Sequence, residues 1–190
     1  MGKLIIITGL DGSGTSSVAE QLSHKDPGSH LMRTPSVPFD TCREFIDSQV
    51  RCESQAAHYL FYLSSVIFAS TQIEALLKTG NVYCVRYLID TVVSHRVAGL
   101  NVDLNYEGDF YSIRRPDLTL FLSINEQDRQ NRITSRGKGL LDKILDDNST
   151  RQKFHEEFNR LSDQFVVVDN SLDILSTIQN SINHMPWIKK

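Results

Sequence analysis

The chain has 190 residues, a formal net charge of −3 and a hydrophobic content of 40%. This length suits a single domain over residues 1–190, and the charge disfavours nonspecific binding to nucleic acid or to an anionic membrane. Three scattered cysteines without CxxC spacing predict neither a zinc site nor a disulfide framework. The apolar run at the start is too short for a signal peptide or a membrane span, so we expect a cytoplasmic protein.

Predicted strands alternate with predicted helices along the chain. Residues 4–8 form a continuous apolar run that ends at a glycine, as in a parallel strand covered on both faces. Helical spacing predicts one helix over residues 16–23 and a longer one over residues 54–78. The other strand candidates are residues 30–33, 82–85, 118–123 and 165–168. We therefore predict an α/β fold, a three-layer α/β/α sandwich around a five-stranded parallel sheet.

The first predicted strand leads into the glycine-rich segment GLDGSGTSS, residues 9–17. It matches the phosphate-binding pattern G-x-x-x-x-G-K-[ST] except that Thr15 replaces the lysine. A glycine turn before a helix directs backbone N–H groups and the helix dipole at an anion, which requires no lysine. We predict that Ser16 binds a nucleotide-bound Mg²⁺. The predicted nucleotide-binding residues are Gly9, Asp11, Gly12, Ser13, Gly14, Thr15, Ser16 and Ser17.

Transfer of a phosphoryl group needs a cation to stabilise the developing charge, and the lysine is missing. Arg86, Arg132 and Arg136 are the candidate catalytic cations. Residues 132–147 contain basic side chains and two glycines, which suits either a lid that closes over phosphates or a solvated helix-loop-helix.

An aromatic cluster at residues 58–62 lies on the long predicted helix. Aromatic residues at helical spacing most often pack in a core. Stacking of one ring on a nucleobase is the other interpretation, and the sequence leaves both open.

Together these segments resemble the thymidylate kinase family over nearly the whole chain. GLDGSGTSS is similar to that family's EGxDGxGKST loop, and residues 82–87, VYCVRY, are similar to the start of V-x-x-D-R-Y-x-x-S. Residues 114–124, RRPDLTLFLSI, resemble the family's P-D-L-T-L-x-L-D-V strand. The resemblance implies a P-loop kinase fold, ATP as the donor with Mg²⁺, and a homodimer formed through the long helices.

The resemblance also implies which residues bind the acceptor. Asp11 corresponds to a residue that reaches the acceptor's sugar, and Phe61 to a phenylalanine that stacks on its base. The implied acceptor-binding set is Asp11, Arg33, Phe61, Arg86, Tyr87 and His95 or Arg96, the last two depending on the alignment.

Four positions depart from the family pattern. Thr15 replaces the loop lysine, Val85 replaces the aspartate before the arginine, Ser65 replaces an arginine, and a glutamine is replaced at His95 or Arg96. The loop also resembles that of archaeal-type cytidylate kinases, where threonine replaces lysine too. Asp90 is the candidate to compensate for Val85.

Three functions are consistent with this pattern. The main prediction is transfer of the ATP γ-phosphoryl group to a nucleoside monophosphate or a related acceptor. The first alternative is a kinase of a nucleoside or another small hydroxyl compound, and the second is a catalytically impaired nucleotide-binding protein.

Overall fold

A computed structural model describes residues 1–137, 144–171 and 173–188, together with all their side chains except that of Arg136. This part of the chain contains both strands and helices. In order they are β1 (Leu4–Gly9), α1 (Thr15–His24), β2 (His30–Arg33), α2 (Phe39–Phe45), a π-helical turn (Ile46–Val50), α3 (Arg51–Glu53), α4 (Gln55–Leu76), β3 (Val82–Val85), α5 (Leu88–Val97), β4 (Glu107–Gly108), β5 (Tyr111–Ser112), β6 (Leu118–Ser123), α6 (Glu126–Arg136), α7 (Asn148–Asn159), a 3₁₀ turn (Ser162–Gln164), β7 (Val166–Asp169) and α8 (Ile174–Asn183).

Five strands form one parallel sheet in the order β2-β3-β1-β6-β7. Parallel neighbours require crossover helices, which cover both faces of the sheet. Because all the strands run the same way, their carboxyl ends lie along one edge. The functional cavity opens at this edge.

The central strand β1 is buried on both faces, which explains its unbroken apolar sequence. Leu4 and Ile6 pack on the side of α4, whereas Ile5 and Ile7 pack on the side of α1 and α8. All four side chains are 0% exposed. Burial of each contributes about 1.5–3 kcal/mol to folding, so this strand gives the phosphate loop a rigid support.

The predicted α/β fold is confirmed, and three strand predictions match to the residue. The last strand lies one residue later than predicted. The long helix starts after Ser54, whose hydroxyl accepts a hydrogen bond from the Ala57 N–H at 3.2 Å and caps it. The sequence prediction missed α2, the π-helical turn and the β4–β5 hairpin. No helix in the described part of the chain is long and apolar enough to cross a bilayer.

Candidate active site

One cavity runs along the carboxyl ends of β1, β2 and β3. The phosphate loop lines one end of it, and side chains from α2, the π-helical turn, α3, α4 and α5 line the other. We call the end at the phosphate loop the loop end and the opposite end the distal end. The residues lining the distal end include Arg43, Asp47, Arg51, His58, Tyr62, Thr91, Ser94 and His95.

The loop between β1 and α1 owes its shape to its glycines. Gly12 and Gly14 have φ values of 89° and 91°, in the left-handed region that favours glycine. A Cβ atom on Gly14 would lie 2.6 Å from Asn170 Nδ2, which leaves no space for a side chain.

Side chains behind the loop bind its carbonyl groups. Arg129 Nη1 donates to the Asp11 carbonyl oxygen at 3.0 Å, and Asn170 Nδ2 donates to that of Ser13 at 2.6 Å. The Gly9 carbonyl accepts from Arg86 on another side. With these alternate carbonyl groups bound, the N–H groups at the start of α1 are oriented as an anion-binding site.

Asn170 is itself held from outside the loop. Its Oδ1 accepts a hydrogen bond from Thr177 Oγ1 at 2.8 Å, and Thr177 is 0% exposed on α8. The end of β7 and the start of α8 therefore fix the back of the loop.

Thr15 and Ser16 begin α1 and line the cavity. Thr15 is buried, and Ser16 is exposed. The Ser16 hydroxyl at the exposed start of the helix fits the role of a ligand for a nucleotide-bound divalent cation.

Arg86 supplies a cation where the loop and the sheet meet. Its Nη2 lies 2.6 Å from Asp11 Oδ1, and its Nη1 lies 2.7 Å from Asp90 Oδ1. Burial lowers the pKa of the guanidinium, but Asp11 and Asp90 outweigh that effect and raise the pKa above its ordinary value. Arg86 therefore stays charged.

The backbone of Arg86 is strained. Its φ is 67°, the left-handed region that residues other than glycine rarely adopt. Such conformations cluster at functional sites, where surrounding contacts hold them at a cost of about 1–3 kcal/mol. Here the contacts to Gly9, Asp11 and Asp90 provide that restraint.

Asp90 lies in the first turn of α5 and contacts three groups. Its Oδ1 accepts from Arg86 and, at 2.6 Å, from Thr8 Oγ1, while its Oδ2 accepts from the Tyr87 N–H at 2.9 Å. Val85 lines the cavity at the end of β3 but has no carboxylate. Asp90 thus brings a carboxylate to Arg86 that Val85 does not provide.

A polar network lines the distal end of the cavity. Asp47 Oδ1 lies 2.9 Å from His58 Nε2 and accepts from the Tyr62 hydroxyl at 2.7 Å. Arg43 Nε donates to the Tyr62 hydroxyl at 3.1 Å. Although burial raises the pKa of Asp47, hydrogen bonds from His58 and Tyr62 and the charge of Arg43 lower it overall, so the carboxylate is ionised.

His95 extends this network to the backbone of α5. Its Nε2 lies 2.8 Å from His58 Nδ1, and its Nδ1 lies 2.7 Å from the Thr91 carbonyl oxygen. Burial lowers the pKa of His95 to about 4, against a rise from the Thr91 hydrogen bond and a further lowering by His58. His95 is therefore neutral near pH 7.

The structure brings together most of the residues that were predicted from the sequence. The loop residues with Arg33, Arg86, Tyr87 and His95 all contribute to one site, although Ser13 supports the loop from behind rather than lining the cavity. Arg33 is mostly exposed and lies 3.3 Å from Asp40.

Two predicted acceptor residues do not line this cavity. Phe61 points toward α2, where its ring centroid lies 5.6 Å from that of Phe39, while Tyr62 faces the cavity instead. Arg96 donates to the Val102 carbonyl oxygen at 2.7 Å. Of His95 and Arg96, the two alternatives that the alignment left open, His95 therefore faces the cavity. Helix geometry explains both cases, since consecutive residues point about 100° apart.

The predicted lid cations also lie away from the cavity or outside the described part. Arg132 donates to the Asn170 carbonyl oxygen at 2.8 Å and lies 3.4 Å from that of Ser13, behind the loop. The Arg136 side chain and residues 138–143 lie outside the described residues. A catalytic role for Arg132 and Arg136, and a lid over residues 132–147, stay predictions.

Sequence reasoning missed four residues of the site. Asp47 and His58 belong to the distal network, and Arg129 and Asn170 hold the loop. His58 belongs to the aromatic cluster, for which the sequence left open core packing and base stacking. Its i, i+4 spacing to Tyr62, which places both side chains on one face of the helix, was the available signal. Asn170 follows a strand end, which is where ligand sites occur in such sheets.

A sequence profile described as thymidylate kinase matches residues 7–182. The probable thymidylate kinase of Methanococcus vannielii is 24% identical over 157 residues, which cover 82% of this chain and 78% of the relative. The probable thymidylate kinase of Methanococcus maripaludis is 23% identical over 185 residues, which cover 97% of this chain and 92% of the relative.

Solved kinase structures share the fold. Thymidylate kinase from Candida albicans gives a TM-score of 0.74 at 22% identity and covers 97% of this chain and 91% of that one. Deoxyadenosine kinase from M. mycoides gives a TM-score of 0.68 at 18% identity and covers 96% of this chain and 98% of that one.

Proposed function

The chain belongs to the thymidylate kinase family, and we propose that it moves the γ-phosphoryl group of ATP to a nucleoside monophosphate. At the level of the family it is a nucleotide kinase, a phosphotransferase that acts on nucleotide substrates. The family also implies ATP as the donor and a divalent metal. The proposal concerns the acceptor, the metal ligand and the residues that carry out the transfer.

The observation that carries the proposal is the position of Arg86 between the loop and the rest of the cavity. Its guanidinium touches the Gly9 carbonyl oxygen, Asp11 and Asp90, so it lies where a phosphoryl group would pass from the loop end to the distal end. Phosphoryl transfer requires positioning and charge stabilisation rather than a covalent intermediate. Arg86 supplies a fixed positive charge at that point.

Donor binding is assigned to the backbone of residues 9–15. The loop carbonyls are bound from behind by Arg129 and Asn170, which directs the loop and the α1 N-terminus toward an anion without a lysine. We assign the bound metal to Ser16, with Asp11 and Asp90 lining the same cavity. When bound, a Mg²⁺ ion would neutralise charge on the donor phosphates.

The acceptor is assigned to the distal end. Arg33, Arg43 and Arg51 line the cavity beyond Arg86 and suit the charge of a monophosphate. The far end is lined by the rings of Tyr62, His58 and His95, which suits a base.

A kinase of nucleosides is the second candidate. Ser65, at the position where the family pattern has an arginine, is 0% exposed and donates to the Tyr62 carbonyl oxygen at 2.7 Å rather than lining the cavity. Without an arginine at that position, a charged acceptor loses an ion pair, whereas an uncharged acceptor loses no such contact. The structural neighbour from M. mycoides is a deoxyadenosine kinase.

An ADP-release assay on the full chain with ATP and Mg²⁺ tests the proposal. One plate holds nucleoside monophosphates and a second holds nucleosides. Turnover on the first plate is the expected result, and turnover on the second alone would favour the nucleoside kinase. Silence on both plates with ATP still bound would contradict transfer and favour a nucleotide-binding protein without activity.

We also propose that the chain is a homodimer through α4. Leu60 and Phe68 on this helix are 58% and 37% exposed, and Phe45 nearby in sequence on α2 is 67% exposed. We assign these side chains to the dimer contact, because association would remove their apolar surface from water. Light scattering should give twice the mass of one chain, and Leu60→Glu should give the monomer.

A further inference from the structure

The distal end of the cavity contains two histidines in direct contact. His58 on α4 and His95 on α5 are 3% and 2% exposed, and their facing nitrogens lie 2.8 Å apart. The outer nitrogen of each ring also makes one hydrogen-bond contact. His58 meets the Asp47 carboxylate at 2.9 Å, and His95 meets the Thr91 carbonyl oxygen at 2.7 Å.

The number of protons on this pair follows from its three contacts, which together involve all four ring nitrogens. A backbone carbonyl oxygen only accepts, so His95 Nδ1 carries a hydrogen. An ionised carboxylate only accepts, so His58 Nε2 carries one as well. The two facing nitrogens share a single proton, because two hydrogens would collide and none would leave two lone pairs opposed. Three protons on two imidazole rings give the pair one positive charge.

The surroundings place this charge on His58. The Asp47 carboxylate adjoins His58, whereas His95 faces a neutral carbonyl group. The lowered pKa of His95 agrees with this assignment. His58 is then an imidazolium that donates from both nitrogens, to Asp47 and to His95.

Asp47 retains a free capacity to accept hydrogen bonds. Its Oδ1 is occupied by His58 and Tyr62, while its Oδ2 receives a single long contact of 3.4 Å from Arg43 Nε among the described residues. A carboxylate oxygen has room for two acceptor contacts. Asp47 lines the cavity, and its side chain is 12% exposed, so a ligand's donor can reach it.

We propose that Asp47 is the specificity-determining hydrogen-bond acceptor for the base of the phosphoryl acceptor, and that the singly charged His58–His95 pair holds it in position. This inference rests on the proposed function only in naming the ligand as the acceptor. The matching ligand group is an N–H donor on a nucleobase edge. His58 and His95 are positioning residues, because their nitrogens are already paired.

Other charged and titratable groups face this network. Arg43 and Arg51 approach from α2 and α3, Tyr59 and Tyr62 come from α4, and the His95 backbone partner comes from α5. Burial lowers the pKa of Arg43, but Tyr62 and Asp47 outweigh that effect and raise the pKa above its ordinary value, so Arg43 stays charged.

Nitrogen-15 NMR of the histidine side chains in the full chain tests the charge. His58→Gln and His95→Gln variants assign the signals. At pH 7 we expect one imidazolium ring with both nitrogens protonated and one neutral ring protonated at Nδ1. In Asp47→Asn the imidazolium should become neutral. Two neutral rings in the unmodified chain would overturn the charge assignment.

Calorimetric binding tests the role of Asp47 without relying on turnover. The probe is whichever of dTMP, dUMP, dCMP, dAMP and dGMP binds the unmodified chain most tightly. Asp47→Asn should weaken that binding by about ten- to a hundredfold, the loss expected for one charge-assisted hydrogen bond, and leave ATP binding unchanged. Equal affinity in Asp47→Asn would overturn the proposal.

Two further variants complete the test. Glu44→Gln, an exposed carboxylate on α2, is the matched control and should bind as the unmodified chain does. His58→Gln should lose part of the affinity, because Asp47 keeps its charge and loses a donor. If no monophosphate is phosphorylated but binding responds to Asp47→Asn, the proposed function fails and this inference stands.

Discussion

Asp90 Oδ1 lies 2.7 Å from Arg86 Nη1, with Asp90 four residues after the arginine that it binds. In the thymidylate kinase signature the carboxylate comes directly before the arginine, where this chain has Val85. A residue in the first turn of α5 faces back toward the strand end, so a carboxylate there reaches the same guanidinium. In this chain a carboxylate thus reaches Arg86 from a different sequence position.

Removing the Asp90 charge should reduce transfer. Asp90→Asn keeps the size of the side chain but leaves Arg86 with Asp11 alone, so we expect kcat to fall about ten- to a thousandfold. Adding Val85→Asp should recover part of the loss, which a purely structural role of Asp90 does not predict. Asp109→Asn, an exposed carboxylate elsewhere, is the control. No rescue by Val85→Asp would contradict this account.

Arg86 should be needed for transfer and not for donor binding. Arg86→Lys keeps a positive charge but cannot bind Gly9, Asp11 and Asp90 together, because an ammonium lacks the planar fork. We expect kcat to fall by about a hundredfold or more and the Kd for ATP to change little. Steady-state rates and ATP titration measure the two effects, and unchanged kcat would contradict the role of Arg86.

Asn170 should matter for donor binding although it lies behind the loop. Asn170→Ala removes the donor at 2.6 Å from the Ser13 carbonyl oxygen and leaves Thr177 Oγ1 with only its longer contacts, at 3.3 Å, to backbone carbonyl oxygens. We expect a loss of about 1–3 kcal/mol in the free energy of unfolding and a higher KM for ATP. Urea unfolding and kinetics give both values. Asn183→Ala on α8 is the control. An unchanged KM for ATP in Asn170→Ala would show that the contact between Asn170 and the Ser13 carbonyl oxygen does not support donor binding.

The sequence predicted the elements that carry local signals and missed contacts made across the fold. Residues 4–8 are uniformly apolar because both faces of β1 are buried, and Gly14 marks a left-handed turn. Asn170 and Asp47 carry no such local signal. Their roles depend on partners 157 residues away at Ser13 and 11 residues away at His58, which only the folded chain defines.

Stability should fall in mild acid because of His95. Its pKa in the folded chain is about 4, below the usual 6.5, so between these values the unfolded chain takes a proton that the folded chain excludes. This contribution is constant above pH 6.5 and declines below it, by about 2 kcal/mol at pH 5. Urea unfolding at pH 7 and pH 5 should show that the free energy of unfolding falls less in His95→Gln than in the unmodified chain. An equal fall in the two proteins would contradict a buried, neutral His95.

The most direct measurement follows labelled phosphate from [γ-³²P]ATP in the presence of Mg²⁺ and a panel of nucleoside monophosphates. We expect label to appear on one nucleoside diphosphate with the unmodified chain, and we expect Arg86→Lys to slow its appearance. Label that stays on ATP, or that passes to water alone while ATP remains bound, would contradict the claim that this chain phosphorylates a nucleoside monophosphate.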